Sequence, residues 1–251
     1  HEDVANTLLI RKTTQAGTHA RRTIKQAVED AFQDAPSQAR MIFSLTNSSQ
    51  VLFSDRVLLA EGKTEELLLP RLFEAVRKRT LPLERTALVC TGSVDDYPKC
   101  LRILAALDLP AKAVADVDFA FRGAVRAGFI AAGDEDVVAC KAVLARLTQT
   151  HGVILDDAGL PKKGGPISPS EAFALMARDD MAVPHVGRLH DKLLGRQIWL
   201  WRKGSIEDHI GIDGKNEDAW ADFASAVAAR GYEAVVADAD GLSAMFEWVC
   251  G

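Results

Sequence analysis

Four carboxylates at the ends of predicted strands are the residues of this chain best suited to chemistry. Glu61 ends a short apolar run, and Glu65 follows it after a turn at Gly62. Asp116 and Asp118 end another apolar run. Carboxylate oxygens are the ligands that hard divalent metal ions prefer, and ions held in this way promote reactions of phosphate esters. If these four carboxylates meet in space, the sequence predicts phosphate chemistry with magnesium or manganese.

A later segment repeats this arrangement. Ser205 and Glu207 follow another predicted strand and lie beside Arg202 and Lys203. Residues two apart on extended chain point to the same side, and open α/β sheets bind ligands at the carboxyl ends of their strands. The oxygens of the two groups suit two metal ions. A cation such as Lys203 could stabilise charge on a phosphate in the transition state.

Composition and charge narrow the class of protein. The chain has 251 residues, enough for one large domain or two small ones, and it is 48% hydrophobic and 26% charged. Its net charge of −5 argues against a protein that coats nucleic acid by bulk charge, but not against an enzyme whose acids bind metal ions. No apolar run approaches the roughly 18–20 residues that span a membrane. Four scattered cysteines without a C-x-x-C pair fit a reduced, cytoplasmic protein and argue against a zinc site.

Strands and helices alternate along the middle of the chain. This pattern predicts an α/β fold, with a parallel sheet flanked by helices and right-handed crossovers. Pro70 should kink or divide the first of these helices. The predicted strands cover residues 57–60, 86–90, 111–115, 197–201 and 234–237, and the predicted helices cover residues 64–78, 96–107, 170–180 and 217–230.

The sequence divides into three predicted regions. Residues 1–54 form an N-terminal helical connector, in which apolar periodicity predicts a helix over residues 19–35. Residues 55–122 and 195–251 form a discontinuous catalytic domain. Residues 123–194 form a mainly helical insertion, with helix expected over residues 122–150. Because the chain begins at His1, we expect it to be a fragment of a longer protein.

Two stretches of the sequence carry a family resemblance. The stretch from Leu59 to Glu65, followed by Asp116 and Asp118, resembles a Toprim domain. Residues 47–62 resemble the entry into the Toprim domain of overcoming-lysogenization-defect (OLD) nucleases, and residues 199–208 resemble their later acid motif. The likeness covers residues 47–120 and 196–212. It implies a Toprim fold interrupted by the helical insertion.

The resemblance implies a metal-dependent DNA endonuclease or nickase with a two-metal mechanism. Its cofactors would be two Mg²⁺ or Mn²⁺ ions, with Ca²⁺ as another occupant. Catalytic roles would fall on Lys203, Glu61 and Asp116. The metal ligands would be Glu61, Glu65, Asp116, Asp118, Ser205 and Glu207. The implied partners are DNA, an ABC-type ATPase domain that precedes this region, and a second copy of the protein bound through regions outside this chain.

Several alternatives stay open. Ser205 stands where the family usually has an acid, so a degenerate, non-catalytic Toprim module for DNA binding or dimerisation is one of them. A primase-like nucleotidyl transferase could use the same acids. A phospho-receiver domain is disfavoured, because its acid pair would follow the first strand rather than the third. A Walker A loop is excluded, because its first glycine would fall on Val57.

Single residues also have plainer interpretations. Glu65 could simply favour a helix N-terminus. Lys162 and Lys163, in a loop rich in glycine and proline, could contact a DNA backbone or could simply be exposed. We expect His209 to be a surface or structural residue and Asp238 to lie in a turn.

Overall fold

The computed structural model describes residues 8–13, 17–23, 26 and 48–251. Within this part, the chain forms two compact units. The first comprises the described residues up to Glu66 together with Arg79–Ala113, and the second comprises Leu67–Lys78 and Val114–Gly251. No helix in the described ranges is both long enough and apolar enough to cross a membrane.

Two antiparallel strands near the N-terminus correct part of the sequence prediction. β1 (Leu8–Thr13) pairs with β2 (Gly17–Thr23), with Arg11 opposite His19. The helix predicted from residue 19 is therefore wrong for residues 19–23, because pairing with β1 outweighs a local helical periodicity. The rest of that predicted helix, apart from residue 26, lies outside the described residues. Ser48–Phe53 forms a 3₁₀ helix.

A parallel sheet forms the centre of the fold, as predicted. β3 (Arg56–Ala60) pairs in parallel with β4 (Thr86–Cys90) and with β5 (Ala111–Ala115). With β6 (Ile198–Leu200), the strand order is β4-β3-β5-β6. β4 is buried along its whole length, as expected for a parallel strand covered on both faces.

Two helices connect the first three strands of the sheet. α1 (Lys63–Arg77) follows β3 and continues through Pro70 without a break, so the predicted division of this helix does not occur. α2 (Tyr97–Ala106) follows β4 and a 3₁₀ turn at Val94–Asp96. Another 3₁₀ turn, Val117–Ala120, follows β5.

Four helices of the second unit occupy the predicted insertion. They are α3 (Gly123–Arg126), α4 (Glu135–His151), α5 (Pro169–Ala177) and α6 (Val183–Leu194). The continuous helix predicted over residues 122–150 is thus two helices, separated at residues 127–134. α4 packs against α5 and α6, and α6 packs against β6.

A buried carboxylate joins α4 to α6. The Asp136 side chain is fully buried and contacts His185 at 2.8 Å, Arg188 at 2.7 Å and Lys192 at 2.8 Å. Burial opposes ionisation of Asp136, but the hydrogen bonds from Lys192, His185 and Arg188 outweigh it and lower the pKa to about 2. Asp136 is therefore a buried anion that stabilises the packing of these two helices.

The C-terminal part of the second unit is helical. It contains α7 (Ile206–Ile210), α8 (Glu217–Arg230) and α9 (Ala239–Cys250). The strand predicted at residues 234–237 is wrong: Val236 N–H donates to the Tyr232 carbonyl at 2.8 Å, so the chain turns there. α9 packs onto α1 through an edge-to-face contact between Phe246 and Phe73, with ring centroids 5.1 Å apart.

Candidate metal-binding and nuclease site

In the first unit, Glu61 and Glu65 follow β3. The loop after β4 is hydrogen-bonded to this strand end, because Thr91 N–H donates to the Ala60 carbonyl at 2.9 Å and Gly92 N–H to the Glu61 carbonyl at 2.8 Å. The buried Glu65 carboxylate accepts a hydrogen bond of 3.3 Å from Gly62 N–H. Glu65 therefore does serve the start of α1, the plainer role open to it from the sequence.

In the second unit, the loop after β5 lies beside the loop after β6. Trp201 N–H donates to the Ala115 carbonyl at 2.8 Å, and Val117 N–H donates to the Gly204 carbonyl at 2.8 Å. These two bonds align the segment of Asp116 and Asp118 with the segment that follows β6. The structure thus brings together the two motif segments that the sequence places at separate strand ends, and Lys203, Ser205 and Glu207 lie in the second of them.

Ser205 occupies the N-terminus of the short helix α7. Its backbone N–H and its hydroxyl both donate to Asp208 Oδ2, at 2.8 and 2.9 Å. Arg178 forms an ion pair with the other oxygen of the same carboxylate. Gly204 has φ +133°, and a side chain there would collide with Asp208, so glycine is required for this turn. The Ser205 hydroxyl therefore has a structural partner on Asp208.

Glu207 and Asp118 lie within the field of one cation, Lys215. Glu207 is buried, and its Oε2 lies 3.3 Å from Lys215 Nζ. Burial raises the pKa of Asp118, against the opposing charges of Arg122 and Lys215. Burial disfavours the charged form of a carboxylate, and a nearby positive charge stabilises that form. Lys215 therefore acts on both carboxylates, through a short contact with Glu207 and through its charge at Asp118.

Lys203 belongs to a network with Asp238 and His209. Lys203 Nζ lies 3.1 Å from Asp238 Oδ2, and His209 Nδ1 lies 2.7 Å from the same oxygen. Lys203 N–H donates to His209 Nε2 at 3.0 Å. Asp238 also caps α9 by accepting a hydrogen bond from Gly241 N–H. Asp238 therefore contacts the Lys203 ammonium directly. It also contacts His209, which in turn accepts a hydrogen bond from the Lys203 backbone.

The protonation states in this network follow from burial and hydrogen bonding. Burial lowers the pKa of His209 to about 4, although Asp238 opposes the shift. A neutral ring can donate from Nδ1 and accept at Nε2, as these contacts require. Burial also opposes ionisation of Asp238, but the hydrogen bond from Lys203 and the nearby His209 outweigh it, so the pKa of Asp238 is lowered.

Three residues of this region were not assigned to the site from the sequence. Lys215 follows no strand and belongs to no motif. His209 and Asp238 are 29 positions apart in the chain. Asp238 and Asp240 form a second D-x-D pattern, for which the sequence predicts a turn after a strand. Only the folded arrangement of α7 and α9 reveals the contacts between these side chains.

The donor atoms suit hard divalent ions. Asp116, Asp118, Ser205 and Glu207 offer only oxygen, which matches magnesium, manganese or calcium rather than zinc. Within the ranges that the structure describes, no three His, Cys, Asp or Glu side chains form a ready-made metal cluster. The donor atoms thus suit such an ion by type but are not gathered into a cluster of three, and the metal roles predicted for these residues stay predictions.

Comparison with known proteins connects these features to a family. Residues 52–118 match the family described as overcoming lysogenization defect protein-like, TOPRIM domain. This range includes Glu61, Glu65, Asp116 and Asp118. The chain is also 25% identical to the Old nuclease of Escherichia phage P2 over 252 residues, which is 98% of this chain and 42% of that protein. Residues 52–118 are therefore similar to OLD-like Toprim domains.

Proposed function

We propose that this chain is a metal-dependent DNA nuclease that hydrolyses phosphodiester bonds as an endonuclease or nickase. The observation that carries the proposal is the backbone hydrogen bond from Val117 to Gly204, which aligns the Asp116 and Asp118 segment with that of Ser205 and Glu207. The relationship to a protein named as a nuclease supports it. The chain spans less than half of that relative's length, so the activity of the whole protein belongs to the proposal as well.

The proposed cofactors are two divalent ions, Mg²⁺ or Mn²⁺, with Ca²⁺ as another occupant, and oxygen atoms would be their ligands. The second unit supplies Asp116, Asp118, Ser205 and Glu207, and the first supplies Glu61 and Glu65. When bound, such ions supply positive charge that activates a water and stabilises a departing oxygen. Glu61 and Asp116, which directly follow their strands, are the acids on which we place the catalytic role.

Lys203 would stabilise negative charge on the phosphate. Its ammonium is half-exposed, and Asp238 holds it through a 3.1 Å ion pair. Lys215 is a second candidate for this role, because its ammonium lies 3.3 Å from Glu207. Both lysines are compact point charges, suited to phosphate oxygens. Substitutions that disturb the network of Asp238 and His209 distinguish the two lysines, because only Lys203 contacts that network.

Partners outside the chain are also part of the proposal. DNA is the substrate. An ABC-type ATPase domain and a second copy of the protein are the partners that the resemblance to OLD nucleases implies. Neither changes the chemistry assigned to the residues described above, and each can be tested with a longer form of the protein.

One observation favours a second candidate function, a non-catalytic Toprim module that binds DNA. The Ser205 hydroxyl donates to Asp208, so this position already has a structural role in capping α7. A chain in which Ser205 contributes no metal ligand would lose one oxygen from the proposed site. This second function predicts DNA binding that needs no metal ion and no cleavage with any ion.

Incubation with supercoiled plasmid distinguishes the two functions. Separate reactions contain Mg²⁺, Mn²⁺, Ca²⁺ or EDTA, and DNA binding in EDTA is measured on the same preparation. Nicked or linear product with Mg²⁺ or Mn²⁺, and none in EDTA, supports the nuclease. Intact plasmid with every ion, together with binding that persists in EDTA, contradicts it and supports the non-catalytic module.

A further inference from the structure

A tight hairpin in the second unit presents two lysines. We name residues 153–165 the basic hairpin. Leu155 and Pro161 form an antiparallel bridge, and Lys162 N–H donates to the Ile154 carbonyl at 2.9 Å. Asp156 closes the turn, because its Oδ1 accepts hydrogen bonds of 2.9 Å from both Ala158 N–H and Leu160 N–H. The loop that the sequence predicted here is thus a hydrogen-bonded structure.

The basic hairpin is also closely packed at its base. Val153, Leu160 and Pro161 are buried. A Cβ added at Gly152, which has φ +66°, would lie 2.8 Å from Pro166 Cγ, and one added at Gly165 would lie 3.0 Å from the Gly152 carbonyl oxygen. These close approaches require glycine at both positions. The two ends of the basic hairpin are therefore packed tightly against each other.

Lys162 and Lys163 project from this packed base. Both are exposed. Of the ion pairs formed among the described residues, none involves either ammonium. Without a carboxylate partner, the two ammonium groups form no ion pair that would stabilise the fold. A compact ammonium does suit a phosphate oxygen. Their charge is available to an anionic partner.

Arg122 ties the basic hairpin to the acid segment after β5. Its Nη2 donates to the Pro161 carbonyl at 2.6 Å, and its Nη1 lies 3.9 Å from Asp156 Oδ2. Its backbone N–H donates to the Asp118 carbonyl at 3.2 Å. One residue therefore bonds both to the hairpin beside Lys162 and to Asp118, a proposed metal ligand. The basic hairpin is therefore joined through Arg122 to the segment that carries Asp118.

We infer that the basic hairpin contacts the phosphate backbone of DNA through Lys162 and Lys163. The inference rests on the proposed function, because it takes DNA as the substrate. Contacts from lysine to phosphate carry no base preference, so they position the duplex rather than select a sequence. They also offset the net charge of −5, which by itself repels DNA.

Salt-dependent DNA binding by the variant Lys162→Gln/Lys163→Gln tests this inference. Affinity for a labelled duplex is measured in EDTA by fluorescence anisotropy over a range of salt concentrations. Each lost phosphate contact lowers the slope of log affinity against log salt by about 0.9, so the slope should fall by about 2 and affinity by roughly tenfold or more at low salt. The matched control, Arg71→Ala/Arg230→Ala, removes two exposed charges from α1 and α8 and should bind as the parent does.

The outcomes separate this inference from the proposed function. An unchanged slope in the lysine variant overturns the inference, even where the parent protein cleaves DNA. An equal loss in the control also overturns it, because net charge alone then explains the effect. A selective loss in the lysine variant supports it, even where the parent cleaves nothing and the nuclease proposal has failed. If both variants unfold at the same temperature as the parent protein, misfolding does not explain the difference in binding.

Discussion

Lys215 Nζ lies 3.3 Å from Glu207 Oε2 in the second unit, and its charge also opposes the rise that burial causes in the pKa of Asp118. The protein's own cation therefore faces two of the acids proposed to bind metal. The side chain of Lys215 is 56% exposed, so its ammonium can leave Glu207 at little cost. A divalent ion that binds Glu207 would compete with it.

Lys215→Met should therefore bind divalent ions more tightly than the parent. A half-exposed pair contributes on the order of 1 kcal/mol or less, so the dissociation constant for Mn²⁺ should fall by roughly two- to fivefold. Isothermal titration calorimetry without DNA measures this constant. Lys163→Met, which removes an exposed lysine from the basic hairpin, should leave it unchanged. Weaker Mn²⁺ binding by Lys215→Met would mean that this lysine supports the site rather than competing with metal.

Asp238→Asn should lower the cleavage rate without unfolding the protein. The amide oxygen can still accept from Gly241 N–H and keep the cap of α9, but the charge that holds Lys203 is lost. Changes beside a catalytic group commonly cost about ten- to a hundredfold, so kcat should fall by about tenfold while KM changes little. Steady-state cleavage kinetics and thermal unfolding measure the two effects.

The matched control for that change is Asp240→Asn, an exposed acid two positions away. It should leave kcat at the parent value. If Asp238→Asn also keeps the parent kcat, then Lys203 does not depend on Asp238 for its role. Lys203→Met then decides whether that lysine acts in the reaction at all.

Asp136→Asn should destabilise the protein in a pH-dependent way. Removing this anion leaves the partly exposed Arg188 and Lys192 without their buried partner, and the lowered pKa of Asp136 corresponds to a loss of about 2 kcal/mol. The pKa of Asp136 is about 2 in the folded protein, below its unfolded value. The ionised Asp136 therefore contributes its full stabilisation at pH values above the pKa of the unfolded state. This contribution to the free energy of unfolding is lost as the pH falls through the pKa of the folded state. Urea unfolding should show the full difference at neutral pH and a shrinking one below pH of about 4.

Asp134→Asn provides the control for Asp136. Asp134 also pairs with Lys192, but it is partly exposed and caps α4, a position where asparagine serves as well. Its unfolding free energy should fall by less than about 1 kcal/mol. If the two substitutions lower the free energy of unfolding equally, the burial of Asp136 does not make it more stabilising than Asp134.

The sheet could be predicted from the sequence because its signals are local. The apolar runs of β3, β4 and β5 lie within one residue of their predicted bounds, and Glu61 and Asp116 directly follow their strands, whereas Glu207 lies in α7. α8 has the predicted bounds of Glu217 and Arg230. These elements combine an apolar pattern with nearby turn residues, so little depends on distant parts of the chain.

The errors occur where distant contacts decide the structure. β2 forms because β1 pairs with it, although residues 19–23 have helical periodicity. Residues 234–237 are apolar enough for a strand, but the chain turns and Asp238 starts a helix. The cation at Glu207 and the partners of Lys203 depend on side chains that meet only in the fold. Periodicity contains no information on such pairs.

The measurement that tests the central claim most directly is the plasmid cleavage rate of Asp116→Asn in Mn²⁺. The parent, Asp116→Asn and a control, Asp108→Asn, are compared under the same conditions. Asp108 is exposed and has φ +51°, a conformation that asparagine also adopts. If Asp116 binds a catalytic ion, its variant should lose at least about a hundredfold in rate while Asp108→Asn keeps the parent rate. Cleavage by Asp116→Asn at the parent rate would contradict the metal-dependent nuclease assigned to these residues.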